Sequence, residues 1–450
     1  MTGVWAPERR TLTVGLSLTI SLVALEALAV ATVLPRVKDD LGGIGLYGWV
    51  FSAFFLGTMV GIVVAGQSAD RVGAAPGFTI GLLLFAAGLL LGGLAPSMLV
   101  LVLARAIQGF GAGAIPSIGY VCIGRSYPEE LRPRMFAVLS TAWVVPGILG
   151  PSVASLVEHT FGWRAVFLGL LPFVAVAGVM TLPALRPIGP GDAVQHDSRR
   201  LADALRVAGG AAAILAGLAN HNPFIGVVLV VFGAVVAWPA YLRLVPPGTV
   251  RAEAGLPAAI LARGVLTFAF FAADAYVPLA LADVRGMSTV WIGVSVTLTT
   301  LSWTAGAWTQ ERLVHRVGAR RLVSVGHVVI LVGIATTSLM LWSAVPVAVG
   351  FVGWTIGGLG IGLSYAPISV TVLREAPAGR EGVVTAALQL TDQLGVSLGT
   401  GIGGAAVGIG AARHWDPARG IAVAWGIAAL VAVAGIAVAR RLPGPTMVAR

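Results

Sequence analysis

Three acids stand where acids are costly. Glu26, Asp274 and Asp392 each lie inside a long apolar stretch. An ionised carboxylate at the centre of a bilayer costs roughly 3 kcal/mol on insertion scales, so one retained there is a candidate for function. Low-dielectric surroundings favour the neutral form of a carboxyl. Such a group can take a proton on one side of a membrane and release it on the other, or act as counter-ion to a cationic solute. The plainer alternative for each acid is a satisfied hydrogen-bonding group between helices. Asp392 belongs to a polar cluster, Leu390-Thr391-Asp392-Gln393.

Two arginines accompany the acids. Arg105 lies about 10 Å into its apolar stretch at ~1.5 Å per helical residue, at a depth similar to that of Glu26. It could hold Glu26 charged, bridge to backbone carbonyls, or form a purely structural pair. Arg263 precedes Asp274 by eleven residues, nearly on one helix face and three turns away. A side chain snorkelling to the interface is an equal reading of it. Enzyme chemistry has no footing. There is no Gly-x-x-x-x-Gly-Lys-Ser/Thr loop, so ATP hydrolysis is not expected. The six His are dispersed, without paired metal-ligand spacing. Cys122 is alone, so no intrachain disulfide can form. No cofactor and no metal are expected, and the chain is not expected to be an enzyme.

The elements that must position these groups are membrane helices. Of 450 residues, 57% are hydrophobic and 11% charged, against roughly 25% charged in soluble domains. The 60 Gly and 25 Pro therefore read as membrane-helix residues, not as disorder. The net charge of +10 is spread over short loops, which argues for topological bias and against nucleic-acid binding. A hydrocarbon core of about 30 Å takes roughly 20 helical residues. Stretches of that kind fall at 12–34, 47–66, 76–95, 98–122, 134–157, 164–183, 204–220, 223–243, 258–281, 289–309, 320–342, 345–368, 382–409 and 419–439. The first is read as a retained span, not a cleaved signal peptide. With both termini in the cytoplasm, about 21 of the 29 Lys and Arg fall on the cytoplasmic side, as the positive-inside rule expects.

The chain also repeats itself. Gly109, Gly111 and Gly113 recur 249 residues later as Gly358, Gly360 and Gly362, and Arg125 and Pro128 recur as Arg374 and Pro377. Arg71-Val72-Gly73-Ala74 recurs at offset 245 as Arg316-Val317-Gly318-Ala319, and Glu26 corresponds to Asp274 at offset 248. The expected fold is all-α and integral to the membrane: fourteen transmembrane helices, as two six-helix bundles plus two inserted helices. The bundles are expected at 1–186 and 251–450, with a linker and the inserted pair at 187–250. Tandem half-bundles suit a transporter, because a site between similar halves can open to either side.

These residues resemble the major facilitator superfamily, in its fourteen-span drug:proton antiporter branch. Gly66-Gln-Ser-Ala-Asp70-Arg71-Val-Gly73 is similar to the signature between spans 2 and 3, with His315 replacing Asp70 in the second copy. Arg105-Ala-Ile-Gln108-Gly109 is close to the span 4 signature, and Trp163-Arg164 opens span 6 as is frequent in this branch. Gly147-Ile-Leu-Gly150-Pro151 is near the antiporter signature, with Pro146, Ala154 and Ser155 where that signature has glycine.

The resemblance implies a central cleft lined by spans 1 and 9, across which Glu26 and Asp274 would face each other. One would carry the proton while the other attracts a cationic substrate. It also implies a proton-transfer role for Arg105. Glu26, Asp274, Asp392 and Arg105 are thus the proton-coupling candidates. Glu26, Asp274, Tyr276, Trp143, Asp392, Gln393 and Trp354 are the expected cavity residues, Trp143 being the first-half equivalent of Asp392. Trp303, Trp308, Trp354 and Tyr276 could line an aromatic cavity, though most membrane aromatics are lipid anchors or core filler. Gly66, Asp70, Arg71, Gly73, Gly150 and Pro151 are read as conformational, with Gly66 and Gly73 framing a tight turn and Gly150-Pro151 allowing a bend. The span 4 glycines read as a packing groove.

The function this implies is export of hydrophobic or amphipathic, drug-like and often cationic compounds in exchange for protons. The setting would be a bacterial cytoplasmic membrane, with the protein a monomer whose partners are substrate, protons and lipid, and not nucleic acid. Alternatives are export of one endogenous metabolite or lipid and a non-transporting membrane sensor or scaffold. An integral-membrane enzyme would need a catalytic cluster at one interface, and none is evident.

Overall fold

The computed structural model describes residues 3–128, 131, 134–135, 138–139, 142, 144–189, 198–220, 222–377 and 380–444. Among the described residues every regular element is helical. The helices are α1 (Pro7–Leu41), α2 (Tyr47–Val72), α3 (Ala74–Gly93), α4 (Met98–Ser126), α5 (Val144–Phe161), α6 (Trp163–Leu168), α7 (Leu171–Leu185), α8 (Ser198–Leu218), α9 (Pro223–Leu244), α10 (Leu256–Asp274), α11 (Thr289–Val317), α12 (Ala319–Ser338), α13 (Ala348–Glu375), α14 (Glu381–Ala412) and α15 (Pro417–Ala439). Twelve helical stretches among the described residues are long and apolar enough to cross a membrane. Helices α5 and α11 fall on the two remaining stretches read from the sequence, and part of the 134–157 stretch lies outside the described residues.

Contacts divide the chain into two units, residues 1–42 with 53–202 and residues 43–52 with 203–450. In the first unit α1 packs on α5 and α7, and α3 packs on α4 and α7. In the second, α10 packs on α14 and α15, α12 packs on α13 and α15, and α11 packs on α13. The two units thus repeat one pattern of neighbours.

The recurring glycines explain how. A side chain at Gly109 would strike the carbonyl of Phe54, and one at Gly113 the carbonyl of Thr58. One at Gly111 would lie 2.5 Å from the Phe85 nitrogen. The second unit repeats this: Gly358 faces the Thr299 carbonyl at 2.5 Å, Gly360 the Gly326 carbonyl at 2.6 Å, and Gly362 the Trp303 carbonyl. The groove expected from the glycine spacing is therefore present twice, and it holds α4 and α13 in backbone contact with their neighbours. Because the contacted atoms are backbone, they cannot swing aside. Gly360→Val should destabilise the protein by about 1–3 kcal/mol through overpacking, read as a lower detergent-unfolding midpoint. Gly382→Val is the control, since nothing lies within 4 Å of Gly382.

The Arg-Val-Gly-Ala repeats mark the α2–α3 and α11–α12 corners. Gly73 and Gly318 sit there with φ of 90° and 80°, a region that favours glycine. The sequence reading placed Gly66 in the same turn, and this is corrected: α2 continues unbroken to Val72, so Gly66 is a helical residue. Only Gly73 makes the corner. Arg71 is exposed at the end of α2. The side chain of Asp70 lies outside the described residues. Arg125, at the end of α4, secures this corner by donating to the carbonyls of Ala69 (3.2 Å) and Gly189 (2.9 Å). Gly150 packs on Leu25 of α1, and Pro151 lies inside α5.

Residues 203–250, set apart in the sequence reading, group with the second unit. Helices α8 and α9 meet where Gly210 faces the Gly233 carbonyl and Gly217 faces that of Gly226, both at 2.6 Å from an added carbon. Asp203 ties the pair by accepting from Arg243 at 2.7 and 2.9 Å and from Arg206 at 2.8 Å. Leu215 fills the space beside Gly401 of α14, and Tyr241 and Thr391 share a 3.2 Å hydrogen bond.

Candidate functional site

In the first unit, α1 and α4 bring together Glu26 and Arg105. Glu26 is fully buried and Arg105 is 2% exposed. Arg105 Nη1 donates to Glu26 Oε1 and, at 2.6 Å, to Gln108 Oε1. The guanidinium also lies 4.1 Å over the Phe54 ring. A buried charge is tolerated when paired and hydrogen-bonded, and here acid and base compensate each other. Among the described residues Glu26 Oε2 and Gln108 Nε2 have no hydrogen-bond partner, and both are shielded from solvent.

In the second unit, Asp274 ends α10. Pro278 has no N–H to offer the Asp274 carbonyl four residues back, and its ring crowds that carbonyl, so the helix breaks here. A short turn at Val277–Leu279 and a π-helical turn at Ala280–Val284 follow. Trp425 Nε1 donates at 3.1 Å to the Ala273 carbonyl, which also accepts from the Tyr276 N–H at 3.0 Å. The Asp274 side chain is half-buried and accepts from Trp354 Nε1 at 2.7 Å. Among the described residues no ion pair is made to Asp274. The Trp354 ring stacks on Phe270 (centroids 5.0 Å, 22°), and Phe270 meets Trp303 edge-on at 5.6 Å.

A third cluster surrounds Asp392 on α14. Tyr365 donates to Asp392 Oδ2 at 3.0 Å, and Arg263 Nη1 lies 3.9 Å from Oδ1. The Arg263 guanidinium sits 3.5 Å over the Tyr365 ring and donates to the Tyr365 carbonyl at 2.7 Å and to Ser369. Arg263 is 2% exposed. The snorkelling reading is therefore corrected: the side chain turns inward, to a cation–π contact and an acid. It does not reach Asp274, because eleven helical residues place the two about 16 Å apart along the axis. Asp392 Oδ1 and Gln393 Oε1 are shielded and have no hydrogen-bond partner among the described residues.

The aromatic candidates separate. Trp354 and Trp303 belong to the cluster beside Asp274, and Trp303 continues to Tyr365 at 5.7 Å. Trp308 is 63% exposed, as a lipid-facing residue would be. Tyr276 is fully buried, donates to the Thr400 carbonyl, and has its ring 5.8 Å from that of Tyr47. Trp143 lies outside the described residues.

Tyr365 and the pairing of Trp354 with Asp274 were not anticipated. The second was open to discovery. The offset of 249 that carries the span 4 glycines onto α13 also carries Arg105 onto Trp354, while Glu26 goes to Asp274. The same acid–donor contact is thus made in both units, with a guanidinium in one and an indole in the other.

Comparison with known proteins bears on what this arrangement serves. The chain is 25% identical over 432 residues to a probable multidrug-efflux transporter of Mycobacterium tuberculosis, covering 92% of this chain and 91% of that one. It is 24% identical over 417 residues to the multidrug transporter protein MdtP of Bacillus subtilis, covering 87% and 74%. Among solved structures, a D-xylose–proton symporter aligns with a TM-score of 0.70 at 13% identity, over 97% of this chain and 98% of that one. A POT family peptide transporter aligns at 0.67 and 17%, over 98% and 99%. At these identities the structural likeness concerns the fold. Residues 16–400 match the sequence pattern of the Major Facilitator Superfamily. This multi-pass membrane protein is a transport protein belonging to the Major Facilitator Superfamily.

Proposed function

We propose that the protein exports hydrophobic and amphipathic compounds, lipophilic cations among them, by proton antiport and alternating access. The observation that carries this reading is the unequal treatment of the acids. Glu26 has Arg105 and Asp392 has Arg263, whereas Asp274, among the described residues, has a neutral indole donor and no ion pair. An acid without a fixed cation can hold either a proton or a solute cation, but not both. Mutual exclusion at one carboxylate is sufficient to couple two opposed fluxes. The names of the relatives, two multidrug transporters, support the direction and the breadth of substrate.

In this reading Glu26, Arg105, Asp274 and Asp392 form the proton-coupling set, and Asp274 takes the exchanged proton. Each compensated pair holds the helices of its own unit in register. The half-buried side chain of Asp274 faces the substrate route, with Trp354 behind it, and Gln393 is a further residue of that route. The repeated neighbours support two six-helix bundles with α8 and α9 inserted, fourteen spans in all. Both termini lie in the cytoplasm of a bacterium, and a monomer is the working unit. Alternating access is the rocking of one bundle against the other.

The test is proton movement in proteoliposomes carrying an internal pH dye. Ethidium and other lipophilic cations, and neutral drugs, are added to the purified protein under an imposed pH gradient. Substrate-evoked proton flux that disappears with a protonophore is expected. Folded protein giving no flux with any compound would overturn the reading in favour of an exporter of one endogenous metabolite or lipid.

A further inference from the structure

Trp354 stands in the second unit where Arg105 stands in the first, 249 residues on, and each donates to the acid of its own unit. The two contacts span 79 and 80 residues of sequence. The repeat has therefore kept the geometry of an acid–donor pair and changed its charge. In the first unit the pair is neutral as a whole. In the second it is an acid steadied by an uncharged N–H. We propose that Trp354 is the residue that sets the charge specificity of transport: by holding Asp274 without neutralising it, the indole leaves a carboxylate free to pair with a lipophilic monocation.

Three features support this. The indole is fixed, since its N–H is committed to Asp274 at 2.7 Å, its ring stacks on Phe270, and it is 1% exposed. Asp274 itself is half-buried, so its open side can meet a solute, whereas Glu26 is fully buried. Phe271 and Trp303, both half-buried with rings 6.3 Å apart, add aromatic surface in the same cluster. A carboxylate beside aromatic faces suits an organic cation, because the ring quadrupoles attract positive charge and the apolar surface takes the rest of the molecule. A guanidinium in place of the indole would satisfy Asp274 internally, as Arg105 does for Glu26.

This assignment rests on the cation export proposed above, and the experiment separates the two. Binding of ethidium, a monocation, and of Nile red, a neutral dye, is measured by fluorescence on the full-length protein in detergent. Trp354→Arg should weaken ethidium binding by about tenfold or more, since it supplies a competing internal cation, and leave Nile red within about threefold. Trp354→Gln, which keeps an uncharged N–H, should retain ethidium binding within about tenfold. Ethidium bound equally by Trp354→Arg and wild type would overturn the assignment. If Trp354→Arg does not fold, Asp274→Asn decides: undiminished ethidium binding there would also overturn it, and a selective loss of ethidium supports it. Wild-type protein that binds neither dye would instead sink the export reading itself.

Discussion

Glu26→Gln should lower the stability of the folded protein by about 3–5 kcal/mol, the usual consequence of removing one partner from a buried ion pair. The substitution preserves shape and can still accept a hydrogen bond. What it removes is the charge that compensates Arg105, a side chain only 2% exposed. Gln108 accepts a hydrogen bond from Arg105 and Phe54 offers a ring face, and both are uncharged. The double variant Glu26→Gln/Arg105→Met should recover most of the loss, because an apolar replacement of both members often costs little. Reversible unfolding in mixed micelles over the four proteins of this cycle reads the coupling directly. A single variant as stable as wild type would mean that no ion pair exists, and that Glu26 is held as a neutral acid.

Much of this architecture was open to inspection in the sequence. Apolar length alone locates the helices, with ends that differ by up to about eight residues where both are described, because hydrocarbon thickness dictates how long a spanning helix must be. The glycine offset located the backbone contacts between α4, α13 and their neighbours. That signal is strong because only glycine fits where a carbonyl of the next helix lies within 3 Å of an added carbon. Glu26 and Arg105 could be paired in advance because opposite charges at equal depth in lipid have few alternatives. The same reasoning failed for Arg263. Helical spacing gave the face on which it lies, toward Asp274, but not the reach. Asp392 and Tyr365, contributed by α14 and α13, were nearer than three turns of its own helix. Gly66 misled for a related reason: a glycine is compatible with both a helix and a turn, and only φ at Gly73 shows where α2 stops. The role of Trp354 was hidden by residue type. A tryptophan in a membrane helix has many ordinary uses, so its donor function showed only when the repeat offset and the hydrogen bond were read together.

Asp274→Asn should abolish uphill export while leaving the protein folded, since asparagine can still accept from Trp354 Nε1. The size of the effect follows from the exchange the acid permits. A single carboxylate that releases one proton for each monocation bound makes the exchange electroneutral, so only the pH difference drives it. One pH unit is worth about 1.4 kcal/mol and sustains about a tenfold gradient of a monovalent cation. For a neutral substrate the same proton moves net charge, and membrane potential contributes about 2.3 kcal/mol per 100 mV. Wild-type vesicles should therefore accumulate ethidium about tenfold per pH unit with no response to valinomycin clamping, and should accumulate a neutral drug with a clear response to it. Asp274→Asn should bring both ratios to about one, because the candidate acid that remains in the second unit, Asp392, is already paired with Arg263. Voltage-dependent ethidium accumulation by the wild type would show that more than one proton moves per cycle. The exchange would then include Glu26 or Asp392, and the compensated pairs would have to open during turnover.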